Sequence, residues 1–262
     1  MIVSADYDGL ICASFLHHYL NWQLEGYYDL STIWISKNGI QNKNKLIWVD
    51  LNILPKEGKT IGGHIISISR EIPQGFKSSC NPNIIAGISA TEFHSKYPFS
   101  TLIYLLWLHQ IEIKQDLLAR MLILHSDATW LKLQNYPANC KKWQISLSDY
   151  TWNFLFQQVN TKTLEKKIDE ELYPLIHKMD AFSSKSKLKS KYLNIHSKQY
   201  QFNPDWDMDV ILNLFNLFGK TLGWTPPNIP DIIKSIKGHR QKAPLALIKQ
   251  IGLSKFLKEK HI

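Results

Sequence analysis

Four short apolar runs constrain the fold of this chain more than any other feature. They are Met1-Ile2-Val3-Ser4-Ala5, Ser31 to Ser36, Lys45 to Val49 with Asp50 following, and Thr60 to Ser67. Between the first two, Leu10, Ile11, Phe15, Leu16, Tyr19 and Leu20 recur at helical spacing. Short apolar strands separated by helical or turn segments predict a parallel α/β sheet over roughly the first 130 residues.

The remainder reads as mainly helical. Ser100 is placed to cap a helix from Leu102 to Gln110, and Gln115 to His125 forms another that ends at Ser126-Asp127. Residues 148–182 mix charged and apolar positions as helices do, and Ser183 to Lys198 is a Ser/Lys-rich linker or exposed loop. Asp207 to Phe218 is amphipathic and stops at Gly219. Trp224 to Pro230 is a turn-rich break, and Ala243 to Glu259 closes the chain as a helix interrupted at Gly252.

Apolar residues are 44% of the 262 and charged residues 20%, the balance of a chain with a packed core. The longest apolar run, Leu102 to Leu108, is far short of the ~20 residues that span a bilayer, and no signal sequence follows Met1. The expectation is a soluble, intracellular, cytoplasmic protein with no membrane partner. Cys12, Cys80 and Cys140 are odd in number and form no CxxC pair, which argues against a disulfide framework or zinc knuckle. Cys12 reads as packing, and Trp34, Trp48 and Trp107, set in apolar runs, as core.

Charge is divided unevenly. Residues 1–130 carry a net charge of −1 and residues 131–262 a net charge of +10, so the second half favours a polyanionic partner. Only Arg70, Arg120 and Arg240 are arginine, and lysine supplies the rest of the positive charge.

In a parallel sheet, ligands bind beyond the carboxyl ends of the strands. Asp6 and Asp8 follow the first run, Asp50 ends the third, and His64 lies in or just after the fourth. Asp127 follows Leu122-Ile-Leu, a helix end or a strand entering the site. Crowded carboxylates repel unless a cation lies between them, and hard divalent ions favour such oxygen-rich sites with an occasional imidazole. Each residue also has a structural reading. Asp6 or Asp8 would cap the first helix, Asp50 and Asp127 would mark turns, and His64 would be a packed histidine.

Ser4-Ala-Asp-Tyr-Asp-Gly-Leu10, Leu46-Ile-Trp-Val-Asp50, Ile61-Gly-Gly-His-Ile65 and Leu124-His-Ser-Asp127 resemble, in order, the four motifs of the DHH phosphoesterase superfamily. That superfamily includes RecJ-type exonucleases, oligonucleotide RNases, cyclic-dinucleotide phosphodiesterases and manganese pyrophosphatases. Cys80-Asn-Pro-Asn83 and Lys96 to Thr101 also look like segments found between its third and fourth motifs. The resemblance covers about residues 1–135. The chain departs from it at Ser4, where the family has a metal-binding histidine, and at Gly62-Gly63-His64, where the family reads Asp-His-His.

The resemblance implies a divalent metal, manganese or magnesium, as one or two ions. It implies Asp6, Asp8, Asp50, His64 and Asp127 as ligands, with Asp50 and His64 also catalytic. The activity implied is hydrolysis of phosphodiester bonds in single-stranded DNA or RNA, or in short or cyclic oligonucleotides. A catalytically degenerate relative that binds nucleic acid or serves in a larger complex is the alternative. On this reading residues 1–135 form a DHH-like metal-binding α/β domain, 136–182 a helical connection and 183–262 a basic substrate-binding region.

In that last region Lys237-Gly-His-Arg-Gln-Lys-Ala243 resembles a reduced form of the family's substrate-binding segment, with Gly238, His239, Arg240 and Lys242 as anion contacts. A basic turn before a surface helix is its structural reading. Lys185, Lys187, Lys189, Lys191 and Lys198, near Tyr192 and Tyr200, would track a phosphate backbone or form a solvated loop. Tyr7, inside the first motif, is placed to meet a base or sugar.

Overall fold

The computed structural model describes residues 1–29, 31–51, 58–64, 78–150, 152–157, 159, 162–179, 201–238, 244–252, 255–256 and 259. The chain forms two compact units. One comprises Met1–Ser4, Glu25–Tyr97 and Pro230–Ile262, and the other Ala5–Leu24 and Pro98–Ile229.

The first unit holds the sheet. Its strands are β1 (Ile2–Ser4), β2 (Gly26–Tyr28), β3 (Thr32–Ser36), β4 (Ile47–Val49), β5 (Lys59–Ile61), β6 (Ser79–Cys80) and β7 (Ile232–Lys237). Their order across the sheet is β6-β5-β4-β1-β2-β3-β7. β1 runs parallel to β2 and β4, β4 to β5, and β5 to β6, while β3 is antiparallel to both β2 and β7. The fold is therefore α/β with a mostly parallel seven-strand sheet. The order reverses between β1 and β4: the chain moves outward through β2 and β3, then returns to the other side of β1.

Ile2, Tyr28, Ile35 and Leu46 form a buried cluster in this unit, with Ile33, Trp48 and Leu51 packed against it. Each fully buried side chain of this size is worth roughly 1.5–3 kcal/mol. β2 begins at a glycine because β3 leaves no room for anything else. A Cβ on Gly26 would lie 2.1 Å from the Trp34 carbonyl oxygen.

In chain order the α-helices are α1 (Tyr7–Leu20), α2 (Lys37–Gln41), α3 (Pro82–Ile85), α4 (Thr101–Leu108), α5 (Leu117–His125), α6 (Thr129–Asn135), α7 (Pro137–Ser146), α8 (Trp152–Phe156), α9 (Lys162–Lys167), α10 (Tyr173–Lys178), α11 (Met208–Leu222) and α12 (Leu245–Ile251). Helices α2, α3 and α12 belong to the first unit and the others to the second. In the second unit α1 packs on α4 and α11. Leu10, Ile11, Phe15, Leu102, Ile103, Leu105, Leu214 and Phe218 are wholly buried there. A π-helical stretch, Ile168–Leu172, joins α9 to α10 and precedes Pro174, whose missing N–H and bulky ring disrupt regular i to i−4 bonding.

Ser100 caps α4, accepting from the Ile103 N–H, as its position predicts. The described part of the basic region 183–262 is mainly helical, as expected, in α11 and α12. It also contributes a six-residue strand, β7, to the sheet; its Ile-Ile-Lys-Ser-Ile-Lys sequence is exposed over most of its length and so lacks a core-facing pattern. Two readings are corrected. Helix α11 passes Gly219 and ends at Leu222, because Gly223 adopts φ 75° and caps it in the left-handed region. Trp107, read as core, is half-buried, and its indole N–H donates to Asp149. Trp34 and Cys12 are buried as read.

Candidate functional site

The parallel strands β1, β4, β5 and β6 bring their carboxyl ends to one edge of the sheet in the first unit. Ser4 ends β1, Asp50 follows β4, Gly62-Gly63-His64 follows β5, and Asn81 follows β6. The Asp50 N–H donates to the Ile61 carbonyl at 2.6 Å and the Gly62 N–H to that of Cys80 at 3.3 Å, so sheet pairing extends into these loops. The Ser4 hydroxyl donates to Asp50 Oδ2 at 2.9 Å. That bond spans β1 and β4, the point where strand order reverses and where open α/β sheets form their ligand crevice.

The other carboxylate oxygen, Asp50 Oδ1, lies 3.5 Å from His64 Nε2. The Asp50 side chain is 6% exposed and that of His64 41%, so the carboxylate is sunk and the imidazole reaches solvent. Asp50 has φ 63°, a left-handed conformation that aspartate tolerates better than most non-glycine residues.

The loop carrying His64 is clamped from beneath. Asn83 Nδ2 donates to the Gly63 carbonyl at 2.8 Å and Asn81 Nδ2 to the His64 carbonyl at 3.0 Å. Asn83 Oδ1 accepts the Tyr97 N–H at 2.6 Å, and both asparagines are fully buried. Thus Asn81 and Asn83 hold the Gly63–His64 loop, and Asn83 is itself tied to the Tyr97 amide. Two asparagines flanking a proline, Asn81-Pro82-Asn83, are the sequence signal that could have found this clamp.

Asp6, Asp8 and Asp127 belong to the second unit. Asp6 caps α1, with Oδ1 accepting the Gly9 N–H at 2.9 Å. Asp6 also bridges to Gln201, and the Phe202 N–H donates to the Ala5 carbonyl at 3.1 Å. This pairing of the first motif with residues 201–202 has no local sequence signal.

Asp8 is buried and takes the place of a structural anchor. Its Oδ2 accepts the Thr101 N–H at 2.9 Å; its Oδ1 accepts the Leu102 N–H at 3.3 Å and the Ser126 hydroxyl. The Cys12 thiol lies 3.6 Å from the same Oδ1. The two amides open α4, so Asp8 supplies a carboxylate to that helix's positive end.

Asp127 follows the end of α5, not a strand, and pairs with the Lys132 ammonium. Asp127 and Ala128 have φ 46° and 53°, consecutive left-handed residues. Tyr7 is corrected: it is 1% exposed and its hydroxyl donates to the Leu122 carbonyl at 3.0 Å, so it does not face a base or sugar. Burial, helped by the Asp8 charge, pushes its phenol pKa well above the usual 10.

Gly238 extends the β3–β7 pairing by donating its N–H to the Ser31 carbonyl at 2.6 Å. His239, Arg240 and Lys242 lie outside the described residues, as do Lys185, Lys187, Lys189, Lys191, Tyr192, Lys198 and Tyr200. Among the described residues no helix is long and apolar enough to cross a membrane. None of them forms a group of three or more His, Cys, Asp and Glu side chains placed to hold an ion.

Asp50 Oδ1 and His64 Nε2, at the separation of an ordinary aspartate–imidazole contact, are also two donors that could share a divalent ion. Donors ~2.1 Å from one ion, at the ~90–110° angles of octahedral and tetrahedral sites, stand ~3.0–3.5 Å apart. An anionic oxygen beside an imidazole nitrogen is also the donor chemistry of manganese and zinc sites. No family model matches this chain, and neither does any curated protein or solved structure.

Proposed function

We propose that this protein is a metal-dependent phosphodiesterase acting on single-stranded nucleic acid or on short or cyclic oligonucleotides. The observation that carries the reading is the Ser4–Asp50–His64 chain at the strand-order reversal of a parallel sheet. The order of motifs resembling those of DHH phosphoesterases supports it, as does the +10 charge of residues 131–262.

On this reading Asp50 and His64 hold a divalent ion, manganese or magnesium. Such an ion, when bound, acidifies a water and stabilises charge on phosphoryl oxygens. Ser4 stands where the family has an imidazole, and its hydroxyl fixes the Asp50 rotamer through Oδ2, leaving Oδ1 toward His64. The sunken position of Asp50 strengthens its attraction for a cation by excluding water. Because His64 is half-exposed, an ion it holds with Asp50 would be open to an incoming phosphate, and the Asn81–Asn83 clamp holds the His64 loop there at little entropic cost.

A second reading is a nucleic-acid-binding protein that has lost catalysis. It is favoured by Asp8 and Asp127, two of the implied ligands, being engaged by α4 and by Lys132. Incubating the purified protein and Mn²⁺ with labelled single-stranded DNA, single-stranded RNA and cyclic dinucleotides tests the choice. Cleavage of at least one, abolished by chelation, is expected. Salt-sensitive binding without cleavage of any would leave the second reading standing.

A further inference from the structure

Among the described residues the sheet of the first unit ends unequally at its two edges. β6 closes one side with two half-buried residues, whereas β7 closes the other with six, of which Ile233 to Lys237 are exposed. Two of these are large and apolar: Ile233 is 54% exposed and Ile236 43%. The Gly238 N–H donates to the Ser31 carbonyl, in register with the Thr32–Lys237 pair. In an antiparallel ladder, successive residues turn their backbone groups to opposite sides. Lys234, Ile236 and Gly238 therefore bond to β3, and Ser235 and Lys237 direct their N–H and carbonyl groups out of the sheet. Toward the start of the strand this phase breaks, because Ile35 pairs with Lys234 and Ser36 with Ile232, leaving Ile233 as a bulge. An exposed edge of this kind is a template for another strand.

We propose that β7 is a self-association edge, on which a second copy of this chain pairs antiparallel about a two-fold axis at Ile236. The lysines select that register. Centring on Lys234 or Lys237 sets like charges directly opposite, which is destabilising, and centring on Ser235 draws the bulged Ile233 into the ladder. Centred on Ile236, the strand sets that side chain against the partner's Ile236, Ser235 against the partner's Lys237, and Lys234 against the partner's Gly238. The outward N–H and carbonyl groups of Ser235 and Lys237 then bond to their counterparts, and the central pair is β-branched and apolar. The strand is thus complementary to itself, as a two-fold interface requires. The closest lysines, Lys237 and the partner's Lys237, are diagonal neighbours at roughly 7–8 Å, so salt should tighten the association. None of this draws on the proposed activity.

The test is the oligomeric state of the full chain by sedimentation velocity over a concentration series, for wild type, Ser235→Pro and Ile236→Lys. Wild type should show a reversible monomer–dimer equilibrium that shifts toward dimer at higher salt. Ser235→Pro deletes one outward N–H and no bond to β3, as prolines on edge strands do, and Ile236→Lys sets lysine against lysine at the axis. Both should be monomeric at concentrations where wild type is dimeric, with circular dichroism spectra like that of wild type. Crosslinking fixes the register. In a non-hydrogen-bonded antiparallel pair the Cα atoms stand ~4.5 Å apart, within disulfide range. Ile236→Cys should form a disulfide-linked dimer in oxidised glutathione, and Ser235→Cys should not do so beyond the wild-type background. A monomeric wild type at every concentration overturns the proposal, as does a dimer that survives in Ile236→Lys or one crosslinked as readily through Ser235→Cys. If Ser235→Pro fails to fold, Ile236→Lys decides alone, because that side chain is already exposed and the backbone is unchanged.

Discussion

His64 Nε2 stands 3.5 Å from Asp50 Oδ1, across the carboxyl ends of two neighbouring parallel strands. A nearly buried carboxylate faces a half-exposed imidazole, and the opposite carboxylate oxygen is tied to Ser4. The pair is thus held by the sheet below and open to solvent above.

Removing the Ser4 hydroxyl should leave the fold intact while loosening Asp50. Loss of a hydrogen bond that orients a ligand typically costs ~10–100-fold in metal affinity. Ser4→Ala should weaken Mn²⁺ binding by about that factor in a calorimetric titration, with a melting temperature close to wild type in the absence of metal.

Asp8 should behave differently. Its carboxylate satisfies two amides of α4 and the Ser126 hydroxyl in a buried site, and hydrogen bonds to charged groups are each worth about 1.5–3 kcal/mol. Asp8→Ala should therefore destabilise the protein by about 3 kcal/mol or more in urea unfolding, with or without Mn²⁺. A variant as stable as wild type would contradict this anchoring role.

Asn83→Ala removes the hydrogen bonds that one buried side chain makes to the Gly63 carbonyl and the Tyr97 N–H. A loss of about 2–3 kcal/mol in stability is expected. Faster hydrogen exchange at the Tyr97 amide should accompany it, because that amide is directly bonded to Asn83.

The Cys140 thiol is pushed up from 9.0 to about 12 by burial, with the Lys132 charge opposing in part. A thiol harder to ionise in the folded than in the unfolded chain contributes stability that is intact below pH 9 and lost as pH rises from 9 toward 12. Cys140→Ala should flatten the decline of stability over that window, measured against wild type in urea. In the native protein at pH 8, Cys140 should resist alkylation by iodoacetamide.

The chain ends of β1 and β4 were legible because Ile2-Val3-Ser4 and Ile47-Trp48-Val49 are apolar runs closed by residues that repay being at a strand end. β7 was not, because Ile232 to Lys237 mixes lysine and isoleucine on a strand exposed over most of its length, and periodicity reports burial rather than pairing. Tyr7 was misread for a related reason. It sits inside a polar Asp-Tyr-Asp-Gly turn, yet its hydroxyl bonds the Leu122 carbonyl and its ring packs on His125 and Phe218, all more than a hundred residues away. The same distance hid the roles of Asp8: its spacing from Asp6 was visible, but its partners Thr101, Leu102 and Ser126 were not. Local sequence shows which residues carry chemistry, whereas packing decides which of them spend it on structure.

Release of label from a single-stranded oligonucleotide in Mn²⁺, by wild type, His64→Ala and Asp50→Asn side by side, tests the proposed site most directly. Cleavage by wild type that EDTA stops, strongly reduced in His64→Ala and undetectable in Asp50→Asn, is the expected result. Cleavage by Asp50→Asn at the wild-type rate, or a wild type with no metal-dependent activity on any substrate tried, would contradict it.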